Sequence, residues 1–207
     1  MERIRDMKIL AVSGSPNKNG NTATLLNIAL ESAKVDGAET ELFSVSGKNI
    51  QPCDGCWGCR KSGVCHIKDD MQGLYDKLVA ADGIIFGTPI YFWSMTSQAK
   101  AIMDRTIALN QPDRNLNNKV AGVVATCGSL GLVEALMHYS YYFVQRRMLP
   151  ANQVSAYIRG PDDLQSMEQC LQATRDLGRQ MVALIKLGFK YPAEFVKGPG
   201  AFGTRTR

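Results

Sequence analysis

Long apolar runs are missing from this 207-residue sequence. None approaches the ~18 residues that a membrane-crossing helix requires, so no span is expected. Histidine is scarce, with two in the chain. His66 and His138 each stand alone and read as surface or packing residues rather than as acid–base groups. The G-x-G-x-x-G pattern of dinucleotide-binding folds is absent, as is the G-K-[ST] ending of a nucleotide-triphosphate loop. Runs of five or more basic residues are lacking although the formal charge is +5, so nucleic acid is not an expected partner. A bound phosphate monoester and metal-bound thiolates would offset much of that charge internally. The apolar part of the N-terminus is too short for a secretory signal, and the cytoplasm is the expected compartment. No internal repeat is visible.

What is present is a concentration of sulfur. Four of the six cysteines, Cys53, Cys56, Cys59 and Cys65, fall within P-C-D-G-C-W-G-C-R-K-S-G-V-C, residues 52–65. The spacing C-x2-C-x2-C-x5-C lets one short loop converge its thiolates on a small inorganic object, and iron–sulfur clusters are held in this way. Gly55 and Gly58 offer the backbone angles that such wrapping needs. Structural zinc, which prefers two C-x2-C knuckles set well apart, and disulfide or free-thiol chemistry remain the alternatives on spacing alone. Cys170 reads as a core residue, and Trp57 either shields the loop or simply packs.

The length suits one domain. Met7–Val12 is a continuous apolar run, as in a strand buried on both faces, and it empties into S-G-S-P-N-K-N-G-N-T. A helix with Leu25, Leu26, Ala29, Leu30 and Ala33 on one stripe follows. Further strands are expected at 39–45, 83–87, 119–125 and 153–159. Helices are expected at 69–81, 96–109, 132–148 and 162–187. Alternating strands and helices imply an α/β, doubly wound, parallel five-stranded sheet, and the flavodoxin-like order 2-1-3-4-5 is one of few arrangements that right-handed crossovers allow. The cysteine loop, 52–66, is then an insertion after the second strand. The domain is expected to span 1–188, with 189–207 a C-terminal arm.

In such sheets ligands bind beyond the carboxyl ends of the strands, at the switch point. Three loops converge there. In the first, Ser13, Ser15, Asn21 and Thr22 offer polar donors at a helix N-terminus, which favours an anion such as phosphate; a plain Ser/Asn/Gly turn with a helix cap is the alternative. The second carries Pro89, Ile90, Tyr91, Phe92 and Trp93, suited to covering a flat aromatic ring but equally to core or interface packing. The third, Thr126, Cys127, Gly128, Ser129, Leu130 and Gly131, is small and exposes its backbone.

S-G-S-P-x-x-x-G-N-T after the first strand, T-P-I-Y-F-W-S-M-x-x-Q-x-K-x-x-x-D-R after the third, and the cysteine run ending near Asp69-Asp70-Met71 together resemble the NADPH-dependent FMN reductase superfamily. The cysteine spacing resembles its iron–sulfur flavoprotein branch. The match spans about Lys8 to Arg147, and the third loop departs from the G-G-rich form common in the superfamily. The resemblance implies FMN, with Ser13, Ser15, Asn21 and Thr22 at its phosphate and Pro89–Trp93 and Thr126–Gly131 about its ring. It implies a [4Fe–4S] cluster on Cys53, Cys56, Cys59 and Cys65, and no catalytic side chain, because the cofactors carry the chemistry. It also implies ferredoxin or another small redox partner, NAD(P)H as the alternative donor, and association into dimers or dimers of dimers. A reductase with unmetallated cysteines and a non-catalytic flavin- or zinc-binding module are the rival readings.

Overall fold

The computed structural model describes residues 7–110, 115–160 and 163–197. The apolar run at the N-terminus forms β1 (Lys8–Ser13), and its residues divide between the two faces of a sheet. Ile9 and Ala11 enter one core, while Leu10 and Val12 enter the other. This two-sided burial explains why β1 has no polar alternation. α1 (Asn21–Val35) follows, then β2 (Glu39–Ser44), a single turn α2 (Cys59–Ser62) inside the cysteine loop, and α3 (Met71–Ala80). β3 (Gly83–Tyr91), a two-residue β4 (Ser94–Met95), α4 (Ser97–Arg105) and a 3-10 turn over Thr106–Asn110 come next. β5 (Val120–Cys127), α5 (Leu132–Arg146), β6 (Leu149–Tyr157), α6 (Asp163–Ser166), α7 (Glu168–Lys186) and α8 (Ala193–Lys197) complete the elements of the described residues.

The main sheet runs β2-β1-β3-β5-β6 with every pairing parallel. This is the doubly wound, flavodoxin-like order expected from the sequence. The strand count differs. β3 continues four residues past Gly87, and Phe92 and Trp93, at φ 44° and 63°, reverse the chain into β4, which pairs antiparallel with β3. Positive φ at both central residues is the requirement of a type I′ hairpin turn, so among the described residues the sheet has six strands, not five. The expected helix from 162 is also interrupted. Asp162 lies outside the described residues, and α6 and α7 are separate, with Met167 at φ −89° and ψ 63° between them.

α1 and α7 cover one face of the sheet, and α3, α4 and α5 the other. Register brings the loop-bearing strand ends level: Ser13 lies beside Gly87, and Pro89 beside Thr126. Beyond α7, the Tyr191 amide donates to Asn118 Oδ1 at 2.7 Å, and Arg147 Nε–H donates to the Phe195 carbonyl at 3.0 Å. The rest of the expected arm, from residue 198, lies outside the described residues.

Candidate functional site

The carboxyl ends of β1, β3 and β5 are stitched together by side chains on the loops that leave them. Thr22 and Thr126 hydroxyls meet at 2.7 Å across the first and third loops. Thr96 reaches the first loop from the second by donating its hydroxyl to the Gly14 carbonyl at 2.7 Å. The same oxygen accepts the Ala99 amide at 3.1 Å, so Thr96 caps α4 as well. Thr88 Oγ1 accepts the Thr96 amide at 3.1 Å. Ser13, Ser15, Thr22, Thr88, Thr96 and Thr126 are all buried, an unusual density of hydroxyls for a protein interior.

The first loop is folded on itself, with Ser15 Oγ accepting the Asn17 amide and Asn17 Oδ1 accepting the Asn19 amide. It delivers Gly20 to the start of α1, and no side chain there caps the helix. The first-turn amides of Asn21, Thr22 and Ala23 have no partner within the helix, which is the arrangement that binds phosphate. The second and third loops touch at the hairpin. Gly131, at φ 97°, packs so closely that a Cβ there would lie 2.4 Å from Trp93 Cα. Pro89 and Ile90 are half-buried, while Tyr91, Phe92 and Trp93 are exposed, Phe92 to 94%. Thr126 and Cys127 are buried, and Gly128 is open to solvent. Cys127 Sγ donates to the Leu130 carbonyl at 2.8 Å, so its thiol closes the third loop.

The four loop cysteines come together elsewhere. Cys53, Cys56, Cys59 and Cys65 line a single cavity of about 270 Å³, whose far wall is Asp104, Arg105, Ile107 and Ala108. Cys53 and Cys56 are exposed, Cys59 is buried and Cys65 half-buried. Burial, and then the closeness of Cys65, Cys56 and Cys53, pushes the Cys59 thiol above its ordinary range. The wrap is made by Gly55 at φ 71° and, against expectation, by Trp57 at φ 60°. Gly58 is in the ordinary helical region, because it already begins the turn of α2. Trp57 is exposed and stacks on the Arg60 guanidinium, 3.9 Å from ring centroid to Cζ. Cys170 is half-buried on α7 rather than fully in the core.

His66 is exposed and pairs with Asp54 at 2.7 Å. The Cys56 amide and then His66 hold the Asp54 carboxyl below its usual range. Ligand atoms of Asp54, Cys56 and His66 lie within 4.8 Å of one another. A buried ion pair closes the inner side of the loop. Arg105 forks onto Asp69, at 2.8 and 3.0 Å, with both side chains fully buried. Burial drives the Asp69 carboxyl up, but the Arg105 guanidinium and the Gln51 amide outweigh it and hold it below the usual range. Burial likewise raises the Tyr75 phenol, which donates to the Arg105 carbonyl at 3.0 Å. The sequence offered D-R as part of a motif and nothing more; the roles of Asp69, Tyr75 and Arg105 emerge only from the fold.

α4 joins the two places. Thr96, its cap, binds the phosphate-type loop, and Arg105, its last residue, faces the cysteines. At 1.5 Å per residue, nine residues separate them by roughly 13 Å.

An α/β sheet of this order with polar loops at the switch point defines a flavodoxin-like protein. An archaeal flavodoxin structure superposes with a TM-score of 0.58 at 16% identity, covering 87% of this chain and 99% of that one. Residues 7–160 match the model of the NADPH-dependent FMN reductase family. An iron–sulfur flavoprotein of Methanocaldococcus jannaschii is 35% identical over 191 residues, 87% of this chain and 98% of the relative. Another from Methanosarcina thermophila is 41% identical over 123 residues, 59% of this chain and 64% of the relative. The chain belongs to the NADPH-dependent FMN reductase family, in its iron–sulfur flavoprotein branch. It is an FMN-dependent oxidoreductase.

Proposed function

We propose that this protein passes electrons between a [4Fe–4S] cluster on Cys53, Cys56, Cys59 and Cys65 and FMN held at the switch point. Ferredoxin, or a protein like it, is the expected exchange partner. The observation that carries the reading is the meeting of four thiols at one cavity, at the opposite end of α4 from the phosphate-type loop. Both sites suit their groups. Soft thiolates favour iron–sulfur centres over hard cations, and an uncapped helix start among buried hydroxyls favours a phosphate.

When bound, the cluster would exchange single electrons and the flavin would gather or release pairs. The chain's own part is to hold, orient and shield. Ser13, Ser15, Asn21 and Thr22 would donate hydrogen bonds to the phosphate, with the start of α1 supplying the favourable dipole. Pro89, Ile90, Tyr91, Phe92 and Trp93 would flank one side of the ring, and Thr126, Cys127, Gly128 and Gly131 the other. No side chain takes or gives a proton in this scheme. A homodimer or dimer of dimers would set a cluster near a neighbour's flavin, and the setting is cytoplasmic.

Anaerobic purification with iron, sulfide and flavin counted per chain tests the reading. About four irons and one FMN are expected. One FMN with no iron after reconstitution, together with steady NAD(P)H-driven quinone reduction, would replace it with a reductase whose cysteines stay free. Zinc without flavin would point to a binding module.

A further inference from the structure

Arg105 carries five N–H donors on a planar guanidinium. Four are accounted for. Nη1 donates to the Gln51 carbonyl and to Asp69 Oδ2, each at 2.8 Å. Nη2 donates to Asp69 Oδ1 at 3.0 Å and to the Ile67 carbonyl at 3.4 Å. These acceptors flank the cysteine loop on both sides. Gln51 stands before Cys53, and Ile67 and Asp69 stand after Cys65. One side chain therefore clamps the loop's two stalks at their base.

The fifth donor, Nε–H, has no partner. Among the described residues it is the one buried side-chain nitrogen or oxygen without a hydrogen bond. An unmet buried donor is costly, and more so when charged, so this one calls for an acceptor that the cavity can receive. The side chain lines the cavity that the four cysteines line. Anionic sulfur is the acceptor that such a cavity would supply.

We propose that Arg105 is the positioning and tuning residue of the cluster: it locks the cysteine loop shut and gives its remaining N–H to a sulfur of the bound centre. This rests on the cluster reading above. A buried cation and an N–H at the sulfurs stabilise the more negative, reduced state, and so raise the reduction potential. The Arg105–Asp69 pair keeps that charge fixed, since neither partner can turn to solvent.

Anaerobically reconstituted wild type, Arg105→Lys and Arg105→Gln are compared for iron, FMN and cluster potential by EPR-monitored titration. Iron affinity is expected to fall about 10- to 100-fold in both variants. The potential should move to more negative values, further in Arg105→Gln, which has no charge, than in Arg105→Lys. FMN content should hold, because the flavin loops lie at the other end of α4. Full iron with an unmoved potential in both variants overturns the proposal. Should neither variant fold, wild type grown with ¹⁵N-arginine decides. A ¹⁵N hyperfine coupling to the reduced cluster, retained in Arg60→Lys, carries the proposal, and its absence overturns it. Wild type that takes up no iron overturns the cluster reading and this inference together, whereas iron-loaded protein with unmoved potentials removes this inference alone.

Discussion

Asp69 holds a charge in a place that water does not reach, and among the described residues it is compensated by Arg105 and two amides. Removing one partner of a buried pair strands the other, at a cost of about 3–5 kcal/mol. Asp69→Ala should lose stability on that scale in urea unfolding of the iron-free protein. The pair also sets an acid limit. Because the folded carboxyl ionises more readily than the unfolded one, near 3.9, its contribution is complete above that pH. It is lost as pH falls through the lower folded value. Iron-free wild type should therefore lose stability below about pH 4, and Asp69→Asn should show a flatter pH profile over that range. None of this was legible in the sequence. Arg105 sits 36 and 54 positions from its partners, and a basic residue at a helix end reads as solvated until topology returns the chain to it. The cysteines were legible because their spacing is local and their chemistry is specific.

At the scale of elements, the strands with continuous apolar character were visible because parallel strands bury both faces. β4 was not, because the turn that makes it uses Phe92 and Trp93 at positive φ, where bulky residues pay roughly 1–2 kcal/mol each. Strain of this kind persists where surroundings impose it, often at ligand sites. Replacing the pair by Asn-Gly, the preferred residues for such a turn, should raise the thermal midpoint of the apoprotein. The same change should weaken FMN up to about tenfold in flavin-fluorescence titration, the worth of an aromatic contact. A second test is Gly131→Ala. A methyl group there has to displace the Trp93 backbone, so flavin binding should weaken with little change in iron.

For the whole molecule, the surface left uncovered is as telling as the core. α5 exposes Val133, Met137, Tyr141 and Val144 at helical spacing, and Leu130 and the hairpin aromatics are exposed beside its start. Apolar area grouped like this marks an interface more often than free surface. If the proposed self-association uses it, Met137→Glu with Tyr141→Glu should reduce the mass found by light scattering to that of one chain while leaving iron and FMN in place. An unchanged mass would move the interface elsewhere.

Arg105 fastens the cysteine loop through protein groups alone, and this separates loading from folding. In a zinc finger the metal is the fold's keystone, and without it the chain collapses. Here the two stalks of the loop are tied by hydrogen bonds between protein groups, at Gln51, Ile67 and Asp69. A chain stripped by oxygen should keep its shape, melt cooperatively, and accept fresh iron without passing through the unfolded state.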